Sequence, residues 1–244
     1  MLLGCSVDAG EHAKGASPGY CATCDVRADA ICASLEPAAL VDLSKLGRRV
    51  RVNAGQTLLW EGDEAALVGN VLSGILKLST MTGDGREQIV GMVFPADFIG
   101  RPFGKDSHQT VTALTDAVVC VFRRTPFDDF ARAHGDIGEA LLRRTLDDLD
   151  RARRWMLLLG RMSATERVAS LLLELNSRLD DSDGEGGVIP LPLSRQQMGD
   201  LLGLTIETIS RTIKKFERLG LIALPGARLL AVRNEQELRR IAAG

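Results

Sequence analysis

The sequence predicts an α+β chain of two domains joined by one long helix, and three observations carry that prediction. Short strands punctuated by glycine fill residues from about 48 to 124. A proline-free helical stretch runs from about 136 to 160. Past residue 190, two capped helices separated by Gly203 precede an apolar hairpin. A length of 244 residues suits two domains better than one.

The first 20 residues are rich in Gly, Ala and Ser without apolar period, which predicts a flexible tail. A short amphipathic helix follows at 34–46, with Ser34 as its cap, Pro37 in its first turn, and Leu40, Leu43 and Leu46 on one face. Arg49 to Val52 alternates, and Leu58 to Trp60 ends at the Glu61-Gly62-Asp63 turn. Val71 to Leu78 reads as one strand leading to the hairpin signal Thr82-Gly83-Asp84-Gly85, with Gln88 to Val93 returning. Thr110 to Leu114 and Ala117 to Phe122 close the series. Such a run predicts a β-sandwich or barrel.

Along 136–160, Leu142, Thr145, Leu149, Ala152, Met156 and Leu159 recur at spacings of 3-4-3-4-3, the period of a coiled-coil seam. Arg143, Arg144, Asp147, Asp148, Arg151, Arg153 and Arg154 flank it. A narrow seam with charged sides, lying between two domains, favours pairing with a second copy over packing inside one subunit. Ser163 and Glu166 then form a capping box for a helix at 163–179, and Asp180 to Gly187 is a polar loop.

Ser194 and Gln197 form another capping box, and Gly203 stops that helix where a left-handed residue is needed. Thr205 caps the next helix, whose apolar residues Ile206, Ile209, Ile213, Phe216 and Leu219 predict one buried stripe. Glu207, Ser210, Arg211 and Lys214 share the opposite face, on the turns that a helix-turn-helix lays in a DNA major groove. Arg211 can donate to guanine O6 and N7, Glu207 can accept from cytosine N4, and Ser210 can meet a base edge. Lys214, Lys215 and Arg218 suit phosphates, which position without reading sequence. From 204 to 233 six Arg or Lys face two Glu, within a chain whose net charge is −2. DNA binding needs such a local positive face rather than a positive total. Leu221-Ile222, Pro225-Gly226 and Leu229 to Val232 read as a wing.

Five cysteines, an odd number, argue against a disulfide framework. Cys21-x2-Cys24-x7-Cys32 with Cys120 supplies four thiolates, which suit a [4Fe–4S] cluster or tetrahedral zinc equally by spacing. Cys120 also reads as a core residue at a strand end, and Cys5 as a free thiol. No apolar run approaches the ~20 residues of a membrane span. The N-terminus lacks a signal-peptide pattern, and Leu2-Leu3-Gly4-Cys5 lacks the apolar stretch a lipid-anchor site would need, so a cytoplasmic location is expected. His12, His108 and His134 are scattered, and no phosphate loop or nucleophile elbow occurs, which argues against an enzyme. The rival class is a ligand-binding or metal-storage module whose C-terminal helices are scaffold.

Thr205-Ile206-Glu207-Thr208-Ile209-Ser210-Arg211 resembles the recognition helix of the CRP/FNR superfamily, with its E-x-x-S-R residues. Gly83 to Gly91 and Phe94 to Gly100 resemble that superfamily's β-roll signature. The resemblance covers about residues 20–235 and is nearer to the FNR branch. It implies an N-terminal cysteine segment at 1–33, a cyclic-nucleotide-binding-like β-roll sensor at 34–134, a dimerisation helix at 135–160 and a winged helix-turn-helix at 161–244. It further implies a homodimer on double-stranded DNA at a TTGAT-N4-ATCAA palindrome, with Glu207, Ser210 and Arg211 on bases, Thr208 nearby, and RNA polymerase as a partner. Gly100 to Thr110 lacks the family's cyclic-nucleotide cassette, whereas the four cysteines resemble the ligands of oxygen-sensing FNR proteins. Those place five residues between the second and third cysteine; the seven found here resemble the FnrL- and FnrN-type variant.

Overall fold

A computed structural model of the chain describes Cys21, residues 23–180 and residues 187–244. The expected tail at 1–20, Cys5 and the loop at 181–186 lie outside the described residues. A 3-10 turn, Ile31–Ser34, leads into α1 (Pro37–Leu46). Eight strands follow: β1 (Gly47–Val52), β2 (Thr57–Leu59), β3 (Leu67–Ser73), β4 (Leu76–Met81), β5 (Glu87–Val93), β6 (Phe98–Gly100), β7 (Thr110–Ala113) and β8 (Ala117–Arg123). They pair antiparallel into two four-stranded sheets, in orders β1-β8-β3-β6 and β2-β7-β4-β5. Val52, Val71, Leu76, Val93, Ile99, Val111, Val119 and Val121 fill the space between them. This is the expected sandwich, in its β-roll form.

Strand alternation then decides what lies outside the first sheet. Val119 and Val121 enter the sandwich, whereas Phe122, Val68 and half-buried Cys120 belong to a second core with Leu40, Leu43, Phe127, Phe130, Ile137 and Leu141. Those come from α1, α2 (Arg124–Ala133) and the start of α3 (Gly135–Arg161).

Two local expectations need correction. Ser34 does not cap α1: the cap position is Glu36, Pro37 opens the helix, and the Ser34 hydroxyl donates to the carbonyls of Ile31 and Asp136. The strand read from Val71 to Leu78 is two strands, broken at Gly74. There φ is +81°, and a Cβ would stand 2.4 Å from the Asp116 carbonyl oxygen, so only glycine fits.

At 27 residues, α3 extends about 40 Å. α4 (Ala164–Leu179), β9 (Val188–Pro190), α5 (Arg195–Leu202), α6 (Ile206–Arg218), β10 (Ile222–Ala223), β11 (Leu229–Val232) and α7 (Glu235–Ala243) complete the chain. The wing is a three-stranded sheet, β10-β11-β9, rather than the expected two-stranded hairpin. Its core, built from Leu171, Leu172, Leu175, Met198, Leu202, Ile213 and Phe216, is continuous with Ile75, Ile89, Met92, Phe94 and Leu114 of the roll.

Candidate DNA-reading helix and cysteine-lined cavity

The helix-turn-helix forms from contacts only a few residues apart. The Ser194 hydroxyl accepts from Gln197 N at 3.1 Å, and Gln197 Oε1 accepts from Ser194 N at 2.8 Å. These reciprocal bonds satisfy two of the donors a helix start leaves open. Gly203 is left-handed, with φ +63° and ψ +40°. The turn also needs Gly199, where a Cβ would lie 2.5 Å from the Leu204 carbonyl oxygen. Sequence reading passed over this glycine; its place four residues before Gly203 was the available signal.

Thr205 caps α6, its hydroxyl accepting from Thr208 N at 3.3 Å. Ile209, Thr212, Ile213 and Phe216 are buried, but Ile206 and Leu219 are exposed, so the buried stripe is shorter at both ends than expected. Glu207, Arg211, Lys214, Lys215 and Arg218 are exposed; Thr208 and Ser210 are half-buried. Hydrogen bonds from its own backbone N–H and from Thr205 hold the Glu207 carboxyl below the usual range, which leaves it an acceptor at neutral pH. Arg211 Nη2 donates to Thr208 Oγ1 at 3.3 Å, which aligns the guanidinium along the face.

Arg167 fixes where this unit stands relative to α3. Its guanidinium donates to the carbonyls of Leu159, Met162 and Leu202, closing open ends of α3 and α5 at once. No motif in the sequence marks this residue. On α3 itself, Leu142 is 59% exposed, Leu149 43% and Met156 73%, and Thr145 and Ala152 are exposed between them. Leu159 departs from the expected seam: it is half-buried against the winged-domain core, so the open stripe ends at Met156. Leu146, 52% exposed, widens it.

Asp97 is the third residue whose role sequence reasoning missed. It is buried at the turn before β6, next to Ala96, whose φ of +70° is unusual for a residue with a side chain. Its carboxylate accepts from Phe94 N at 2.9 Å, from Arg144 on α3 and from Arg178 on α4 at 3.2 Å. Arg151 on α3 stands 3.8 Å away, and the Arg178 guanidinium lies 4.9 Å above the Phe94 ring. One carboxylate of the roll therefore holds both the long helix and the winged domain.

The four cysteines line a common cavity of about 200 Å³, walled by the outer face of the first sheet and by the segment leading to the 3-10 turn. Cys32 sits in that turn, Cys21 and Cys24 just before it, and Cys120 on β8. All four are half-buried, and none is in a disulfide. Burial pushes the Cys32 thiol up to about 11, Cys120 to about 12, and Cys21 upward, with the neighbouring cysteines adding to each. As free thiols Cys21, Cys32 and Cys120 are protonated at neutral pH and poor nucleophiles; a bound cationic group would replace those protons. Among the described residues, no three His, Cys, Asp or Glu side chains gather tightly enough to hold a metal ion as they stand. The same cavity contains a buried amide oxygen, Asn70 Oδ1, with no partner. Four soft donors around a shared space, with an unmatched polar atom in its wall, fit a polynuclear sulfur-ligated group.

Comparison with known proteins bears on the fold and on the helix-turn-helix. Residues 166–241 match the family model described as Crp-like helix-turn-helix domain, and residues 49–134 match that described as cyclic nucleotide-binding domain. The transcriptional activator protein FnrL of Cereibacter sphaeroides is 42% identical over 87% of this chain and 87% of its own. The nitrogen fixation regulation protein FixK of Bradyrhizobium diazoefficiens is 40% identical over 84% and 86%. The solved structure of FixK2 from Bradyrhizobium japonicum superposes with a TM-score of 0.76 at 32% identity, covering 81% of this chain and 98% of that one. The chain belongs to the CRP/FNR family of regulators. As a member it is a DNA-binding transcriptional activator of the FNR/FixK type, and α5 with α6 is its helix-turn-helix. Its relatives are regulators, not enzymes. Among the described residues, no helix of this family member is long and apolar enough to cross a membrane.

Proposed function

We propose that this regulator works in the cytoplasm as an oxygen-responsive homodimer, binding a [4Fe–4S] cluster through Cys21, Cys24, Cys32 and Cys120. The observation that carries this reading is the shared cavity of those four thiols, one wall of which belongs to the segment whose 3-10 turn packs against the start of α3. Cys21, Cys32 and Cys120 pack against the same core as Ile137 and Leu141, and the Ser34 hydroxyl bonds the Asp136 carbonyl at 3.3 Å. When bound, such a cluster supplies oxygen sensitivity. Ligation by residues 21, 24 and 32 ties the 3-10 turn to β8, and the turn in turn holds the start of α3. Release of the turn loosens that end of the helix and weakens pairing along Leu142, Thr145, Leu149, Ala152 and Met156. Two half-sites engaged together bind far more tightly than one, so a modest change at the seam switches DNA occupancy.

On a two-fold symmetric site, Glu207, Ser210 and Arg211 read bases, while Thr208, Lys214 and Lys215 serve the backbone, and the activator acts on RNA polymerase. Anaerobically isolated protein is expected to be brown, to hold about four iron and four sulfide per chain, and to bleach in air while releasing the palindrome. Colourless protein with stoichiometric zinc overturns the cluster reading. Arg211→Ala is expected to lose about 1–3 kcal/mol of discrimination at its guanine, measured by gel shift on single-base operator variants. Equal weakening on every sequence would make Arg211 a phosphate contact.

A further inference from the structure

Asn70 is an asparagine at a place where the fold asks for an apolar residue. It lies mid-strand on β3, 2% exposed, and its strand neighbours on the same sheet face are Val68 and Leu72. Directly across, its register partner on β8 is Cys120, and the next residue on that face is Phe122. Antiparallel partners point to the same face with Cβ atoms about 5 Å apart, so the carboxamide stands beside the Cys120 thiol. Asn70 and Cys120 both line the cysteine cavity, together with Cys21, Cys24 and Cys32. The amide oxygen is buried without a hydrogen-bond partner, a costly arrangement that the protein's own contacts leave unexplained. Leucine, branched at the same carbon, is larger but has the adjacent cavity to extend into, and it carries no such cost.

We infer that Asn70 is a positioning residue for the group the four cysteines bind, its amide donating an N–H to sulfur at Cys120 or to an adjacent sulfide. This rests on the cluster reading given above. A carboxamide carries an acceptor on one side and two donors on the other, and a half-turn about its last torsion exchanges them. Beside protonated thiols it meets weak donors. Beside thiolates and sulfides, which only accept, it presents its N–H groups. Hydrogen bonds to cluster sulfurs withdraw negative charge, stabilise the reduced form and raise the reduction potential. Asn70 thus slows oxidative loss of the cluster and sets the oxygen level to which the protein responds.

The test compares wild type with Asn70→Leu and Asn70→Ala, each as cluster-free protein and after anaerobic reconstitution. Cluster-free Asn70→Leu is expected to melt at or above the wild-type temperature, because an unmatched polar atom has gone. Reconstituted, both variants are expected to take up wild-type iron and sulfide, to have a lower reduction potential, and to bleach in air roughly tenfold faster. If wild type takes up a cluster and the variants match its potential and bleaching rate, the role of Asn70 is refuted and the cluster reading stands. If wild type takes up none, both fall together. If both variants melt well below wild type without cluster, Asn70 is a structural residue and the inference is wrong.

Discussion

An Asp97→Ala variant is expected to lose about 3 kcal/mol of folding stability, among the largest single-residue effects in the chain. The Asp97 side chain is only 4% exposed, and its removal leaves Arg144 and Arg178 without the carboxylate they share. Breaking one side of a buried ion pair strands the other charge, which typically costs about 3–5 kcal/mol. The lower end applies because the Arg144 and Arg178 side chains keep 21% and 32% of their surface in water. The variant also frees Phe94 N, which Asp97 Oδ2 caps at 2.9 Å, in the turn where Ala96 holds its left-handed backbone. Asp97→Asn keeps an oxygen for that cap and is expected to lose about half as much. Asp129→Ala, which breaks an exposed pair with Arg132, should stay within about 1 kcal/mol of wild type. Denaturant unfolding monitored through the tryptophans measures all three. A loss below about 1 kcal/mol for Asp97→Ala would mean that the three-way contact contributes nothing net.

Leu149→Glu is expected to lower affinity for a palindromic operator by about a hundredfold while leaving affinity for an isolated half-site unchanged. Leu149 lies in the middle of the exposed stripe of α3, 43% exposed in the single chain, so the change touches little within one subunit. Folding stability should therefore shift by no more than about 0.5 kcal/mol. In a paired arrangement the two-fold axis would set one carboxylate near its copy in an apolar seam, where like charges without partners are costly. Anaerobic sedimentation should show the variant as a monomer at concentrations where wild type is a dimer. A variant that stays dimeric and keeps its palindrome affinity would rule out this stripe as the seam.

What the sequence by itself determined depends on neighbours within one helical turn. Ser194 with Gln197, Ser163 with Glu166, Gly203 and Thr205 each act over three residues or fewer, so their spacing was enough to set the helices that carry Glu207, Ser210 and Arg211. The same is true of α3, whose apolar period survives intact from Leu142 to Met156. Tertiary structure decided what comes from far along the chain. Strand register turned Cys120 outward beside Asn70 and brought it to cysteines some ninety residues earlier. Packing of the winged domain on the roll delivered Arg178 to Asp97 across 81 residues and half-buried Leu159, while packing of the 3-10 turn on the start of α3 gave the Ser34 hydroxyl to the Asp136 carbonyl rather than to a helix cap. Periodicity tells which face of an element is apolar; only the closed fold tells which other element, and which unmatched polar group, that face meets.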